Sequence, residues 1–193
     1  VFVTGVVLAA GASRRLGTPK QLLPYRGATL LDSTLDTART CSFDQLLITL
    51  GGSAGQVLER VDLAGATVVL NPDFGTGCGG SIGAALKRVD PHADGLILLL
   101  GDQVGVRTVD VEALLATVAA QSASIGVCRY RDGLGHPFWF SRAMFGELSQ
   151  LGGDKAVWKL VHSDRFEVTE CEIDAATPAD VDTWADYAAL AGK

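Results

Sequence analysis

The chain has 193 residues, 48% of them hydrophobic and 20% charged, with a formal net charge of −6. That length supports one well-cored domain over residues 1–193 without demanding a second, and the acidic balance argues against gripping nucleic acid through a basic face. Cys41, Cys78, Cys128 and Cys171 lie far apart with no metal-ligand spacing, which speaks against zinc and against a disulfide scaffold and favours a reducing compartment.

Taken in order, an apolar run at 5–9 reads as a buried strand that breaks at Gly11 into a loop of small residues carrying Arg14, Arg15 and Lys20. Such a loop lets backbone N–H groups approach a ligand, and guanidinium and ammonium groups suit phosphate oxygens. On this stretch alone, an ordinary strand-to-helix connection with solvated cations is the better account of the pattern. Further apolar, β-branched-rich strands are expected at 45–50, 66–70, 95–100 and 124–128, alternating with helices at 30–39, 53–60, 81–88 and 110–120, the last opened by Asp110. This rhythm predicts an α/β fold, three-layer and Rossmann-like, with a doubly wound, mostly parallel sheet. The apolar run at 96–100 is far too short to span a bilayer, and Val1-Phe2-Val3-Thr4 shows no signal-peptide pattern, so a cytoplasmic location without membrane contact is expected.

After Cys128 the turn-rich stretch 129–137 leads into Phe138-Trp139-Phe140, expected as a late edge hairpin over the site, with His136 read as a turn residue in preference to a general base and a substrate contact left open to it. Helical patterns follow at 142–150 and 154–162, then a strand at 165–171 and a closing helix at 179–190 with Pro178 near its first turn.

In sheets of this kind ligands sit beyond the carboxyl ends of the strands, which directs attention to the loops there. Asp102 ends a buried apolar strand, and an ionised carboxylate in that position needs a partner, either a hard cation such as magnesium or a turn or helix cap. Asp174, after the late strand, is a second candidate metal ligand or else a surface carboxylate. Gly75-Thr76-Gly77-Cys78-Gly79-Gly80-Ser81 spells GxGxxG, but Asn71-Pro72-Asp73-Phe74 separates it from the strand and the acidic partner of a dinucleotide site is misplaced. The loop therefore reads as a nucleotide contact or a flexible turn. No P-loop pattern and no nucleophile elbow is present.

The segment LAAGASRRLGTPKQLLP resembles the LAAGxSxRMGxPKxLLP signature of the MobA-like nucleotidyltransferases, and the likeness continues through NPDFGTGCGGSIGAAL, LLLGDQ, GHP and TPAD. Within that family it is most similar to the molybdenum cofactor cytidylyltransferase branch; members using GTP carry LAGG where this chain has Leu8-Ala9-Ala10-Gly11. The resemblance implies that Leu8, Ala9, Ala10 and Gly11 approach the base and ribose, that Arg15 and Lys20 hold the triphosphate, and that Gly77 and Ser81 flank the base. It further implies that Asp102 binds catalytic Mg2+ and that Asp174 completes the metal site, reading the family's closing DIDTPED onto Asp174-Ala175-Ala176-Thr177-Pro178 with extra residues. Val104 stands where the family has proline after GDQ, and Cys78-Gly79-Gly80 replaces the frequent Met-Ser-Ser.

The implied activity is transfer of a nucleotidyl group, CMP from CTP, onto a molybdopterin-type cofactor, with a client molybdoenzyme as a further partner. The alternatives are an NAD(P)H-dependent oxidoreductase of the same fold and a nucleotide-binding chaperone that catalyses nothing.

Overall fold

The computed structural model describes residues 1–153 and 155–192. Its strands are β1 (Val3–Ala9), β2 (Pro24–Tyr25), β3 (Ala28–Thr29), β4 (Gln45–Leu50), β5 (Thr67–Leu70), β6 (Gly95–Leu100), β7 (Ile125–Tyr130), β8 (Gly133–Ser141) and β9 (Val168–Glu172). Its α-helices are α1 (Leu30–Thr40), α2 (Ala54–Arg60), α3 (Cys78–Leu86), α4 (Thr108–Gln121), α5 (Phe145–Ser149), α6 (Ala156–Val161) and α7 (Trp184–Ala191). Apart from the small β2–β3 hairpin, the strands form one sheet in the order β5-β4-β1-β6-β8-β7-β9. Strands β5, β4, β1 and β6 run parallel, β8 is antiparallel to both β6 and β7, and β9 is parallel to β7.

The central parallel strands β4, β1 and β6 are buried on both faces because helices cover both, which is why they read as continuous apolar runs, while β5 at the edge is more exposed. Successive side chains point to opposite faces, so Val7, Ile48, Ile97 and Leu99 pack with Leu31, Leu35, Val111 and Leu114 of α1 and α4. Val6, Leu47, Leu96 and Leu98 pack on the other side with Ile82 of α3, Leu148 of α5 and Leu160 of α6. The expected three-layer α/β arrangement is thus present. Local signals place α1 sharply: the Thr29 hydroxyl accepts from the Asp32 amide at 3.1 Å, and Asp32 accepts from the Thr29 amide at 3.0 Å.

Several expectations need correction. The hairpin forms, but β8 is an interior strand between β6 and β7, and the edges are β5 and β9. Phe138, Trp139 and Phe140 are all buried, so both faces of the strand are covered. His136 is a strand residue and not a turn residue. Asp110 sits in the third position of α4, where its carboxylate accepts from the Arg107 amide and from Arg107 Nε at 2.9 Å. The pattern at 154–162 forms α6, although its first residue, Asp154, lies outside the described residues. The closing helix starts five residues later than expected, at Trp184, because Thr183 and Asp186 supply a capping box there and the stretch before it is irregular. No helix among the described residues is long and apolar enough to cross a membrane.

Candidate active site

A cleft of about 650 Å3 opens at the carboxyl ends of β1 and β6, with His136 of β8 in its wall. The loop after β1 is braced from inside. The Ser13 carbonyl accepts from the Leu16 and Gly17 amides, each at 3.1 Å, and the Ser13 hydroxyl accepts from the Lys20 amide at 2.9 Å. Gln21, nearly fully buried, donates from Nε2 to the carbonyls of Ala9 at 2.7 Å and Gly11 at 3.1 Å. The carboxamide therefore ties the end of β1 to the loop.

Leu8, Ala9, Ala10, Gly11, Arg15, Lys20, Gly77, Ser81 and Asp102 all line this cleft, so the fold brings these sequence candidates together. Arg14, the arginine outside the family motif, lines it too. Gly77 holds φ +96° and ψ −179° ahead of α3, a conformation side-chain-bearing residues avoid. Gly79 lets α3 approach the chain closely, since a Cβ there would lie 2.4 Å from the Leu151 carbonyl oxygen. Ser81 is buried and accepts from Asn71 Nδ2 at 3.0 Å.

Asp174 does not join them. Its side chain is 91% exposed, takes the Arg131 guanidinium at 2.7 Å and is absent from the cleft lining. Two carboxylates eight and six residues further on occupy the cleft instead: Asp182 and Asp180. Val181 between them is buried with Leu16, Leu23 and Leu30, which anchors the segment while its two neighbours reach the cleft.

The charges at the floor of the cleft neutralise one another. The Lys20 ammonium bonds Asp102 and also Asp182, the latter at 2.8 Å, and Arg15 reaches Asp182 at 2.7 Å. Burial pulls the Lys20 pKa down, but the two carboxylates outweigh burial and leave it above its ordinary value. Partial burial likewise pushes Asp182 up, and Lys20 and Arg15 more than reverse that, holding it below the usual carboxylate range. Asp180 is raised, first by burial of its carboxyl group and then by repulsion from Asp102. Lys20 is thus a positive charge held between oxygens from two separate segments. Among the described residues, no group of three or more His, Cys, Asp and Glu is close enough to hold a metal unaided.

The far wall is different in kind. His136 is 7% exposed, its ring lies 4.2 Å from that of Phe138 and 6.3 Å from that of Trp158, and burial lowers its pKa to about 3. Lys155, Val157 and Trp158 complete that side of the cleft.

The model of the MobA-like NTP transferase domain matches residues 5–168. The chain belongs to this family. Among relatives of this NTP transferase, the nicotine blue oxidoreductase of Paenarthrobacter nicotinovorans is 32% identical, aligning 94% of this chain with 92% of that one. The purine catabolism protein PucB of Bacillus subtilis is 28% identical over 96% and 94%. The crystal structure of Rv0371c from Mycobacterium tuberculosis H37Rv shares 52% identity and a TM-score of 0.93, covering 100% of this chain and 99% of that one. A structure of Rv0371c in complex with manganese shares 49% identity and a TM-score of 0.88 with full coverage of both.

Within the family pattern, Asp180-Val181-Asp182-Thr183 matches the DIDT of the closing DIDTPED, with Trp184 in the place of proline. Thr177-Pro178 mimics the Thr-Pro of that motif, which is why the sequence points to Asp174, a residue that lies outside the cleft. Gln21 carried no comparable signal, because its role rests on backbone carbonyls that only the folded loop presents.

Proposed function

We propose that this member of the nucleotidyltransferase family moves CMP from CTP onto the phosphate of a molybdopterin-type cofactor, for delivery to a client molybdoenzyme. The observation that carries the reading is the convergence of Arg15, Lys20, Asp102 and Asp182 at one floor beside the loop after β1. Nucleotidyl transfer needs positioning and charge neutralisation more than covalent chemistry, and these groups supply both. The choice of CTP is supported by the Leu8-Ala9-Ala10-Gly11 form of the loop.

In this reading a phosphate oxygen of the acceptor attacks the α-phosphorus of the nucleotide, the α–β anhydride bond breaks, and pyrophosphate leaves. Lys20 and Arg15 turn from the carboxylates to the phosphates and offset the charge that builds on the leaving group. The loop braced by Ser13 and Gln21 keeps the nucleoside in register with them. Ser81, held by Asn71, and Gly77 close over the base. Asp102 and Asp182 are the residues that would hold Mg2+, an oxygen-seeking cation that supplies charge neutralisation on phosphate oxygens when bound. A structure of a 49% identical relative with manganese supports a divalent cation in this fold.

The name of the 32% identical relative favours a second reading, reduction by NAD(P)H. Pyrophosphate release across the four NTPs, with Mg2+ and the molybdenum cofactor supplied, decides between them. Release with CTP and acceptor together supports transfer. Metal-independent NADPH binding with no pyrophosphate overturns it in favour of reduction, and nucleotide binding without turnover leaves a chaperone.

A further inference from the structure

We infer that His136 is a specificity-determining contact for the acceptor, offering an imidazole hydrogen bond to a neutral polar group of the molecule that receives the nucleotidyl unit. The inference rests on the transfer reading above. It starts from an imbalance in the cleft wall. The backbone at His136 is fixed, its carbonyl accepting from the Tyr130 hydroxyl at 2.6 Å, and the ring is enclosed by Phe138 and Trp158. Among the described residues, however, no protein group hydrogen-bonds the ring nitrogens, although the side chain is more than nine-tenths buried. The ring nitrogens are not among the buried side-chain atoms left without a partner, so they open onto the cleft that this residue lines, where a bound molecule can replace water as their hydrogen-bond partner.

Which molecule follows from position. Strand β6, with Asp102 just beyond its end, stands between the nucleotide loop of β1 and the strand that carries His136. The cations suited to a triphosphate, Arg15 and Lys20, lie at the floor with Asp102 and Asp182. His136 shares its side with Val157, Trp158 and the charged Lys155. What kind of group it reads follows from its surroundings. An imidazole packed among aromatic rings stays uncharged at neutral pH and favours a carbonyl, amide or ring N–H over an anion. The charged groups lining the same cleft, Lys155 among them, remain for anionic parts of the acceptor.

The test compares His136→Phe, which keeps a flat ring, with His136→Gln, which restores a hydrogen-bonding group. With CTP, Mg2+ and the molybdenum cofactor, His136→Phe is expected to raise the acceptor KM roughly tenfold or more, leaving kcat and the CTP Kd near wild type, and His136→Gln to recover part of the loss. An unchanged acceptor KM in His136→Phe, or an equal loss in CTP affinity, overturns the inference. A second measurement needs no variant. In 15N-histidine NMR of the wild-type protein, the His136 resonance is expected to shift on adding the cofactor and not on adding CTP with Mg2+. A shift with CTP alone, or none with the cofactor, overturns it. Absence of pyrophosphate release alongside a cofactor-induced shift would remove the transfer reading and leave the contact standing.

Discussion

The ionic floor of Lys20, Asp102 and Asp182 and the aromatic wall of His136, Phe138 and Trp158 face the same cleft, but they are stabilised by different means. On the floor every charge already has a partner: one ammonium serves two carboxylates, and Asp182 also takes Arg15. On the wall a buried imidazole has aromatic neighbours and, among the described residues, no protein hydrogen bond to its ring. A self-neutralised cluster responds to ligands by exchanging partners, so that anions claim Lys20 and Arg15 while cations claim the carboxylates. A fixed neutral wall cannot exchange charge and can only accept or reject shape and hydrogen-bonding groups. Under the proposed transfer, the floor would set the rate and the wall would set the choice of acceptor.

The largest expected effect breaks the floor at its centre. Asp102→Asn is expected to lower pyrophosphate release by roughly three orders of magnitude with the fold retained, because Lys20 keeps Asp182 as a partner. Circular dichroism and turnover measured together check this, and near-normal turnover would detach Asp102 from the chemistry. Lys20→Met follows, with a loss of roughly 10²- to 10³-fold in kcat/KM for CTP. It carries a second, opposite signature. Removing the ammonium leaves two carboxylates facing each other, so Mn2+ added without nucleotide is expected to raise the melting temperature more in the variant than in the wild type. Equal metal-induced shifts would mean that Lys20 and the cation do not compete for the same oxygens.

A smaller effect sharpens which acid belongs to the floor. Asp182→Asn is expected to cost roughly ten- to a hundredfold in turnover, since it weakens the hold on both Lys20 and Arg15, whereas Asp174→Asn loses only an exposed ion pair with Arg131. Parallel steady-state assays of the two variants make the comparison. Matching losses would restore Asp174 to the site.

This pair also shows how far the sequence was legible. The loop after β1, Asp102 and the parallel core could be read in advance, because each is a local pattern: an apolar run, a break at glycine, and a charge at the end of a buried strand. The 45–50 and 95–100 strands match β4 and β6 residue for residue. Three features were missed, two because they depend on long-range packing and one, Asp180-Val181-Asp182-Thr183, although it matches the DIDT of the family motif. Strand β8 enters the interior of the sheet through pairing with β6 some forty residues earlier in the chain, and nothing in Gly133–Ser141 announces that partner. Asp180 and Asp182 reach the cleft because Val181 is buried against Leu16, Leu23 and Leu30, a contact across most of the chain. His136, read as a turn residue from its Gly and Pro neighbours, became a wall residue once β8 was placed.

The last prediction concerns the wall and is the most local. The ordinary histidine pKa lies near 6.5, and burial lowers that of His136 to about 3. The unfolded chain thus binds a proton at this position over a pH range where the folded protein does not. The stability contribution of the neutral, buried form is complete above the unfolded pKa and is lost as the pH falls from about 6.5 toward 3. His136→Phe has no proton to take up. Over that interval its unfolding free energy is expected to decline less steeply than that of the wild type, by up to about 1.4 kcal/mol per pH unit. Urea unfolding at stepped pH, with the two proteins compared by slope and not by absolute stability, separates this effect from any packing change the substitution makes. Parallel slopes would show that the imidazole escapes the aromatic enclosure and titrates in the folded state, and the wall would then differ from the floor in composition alone.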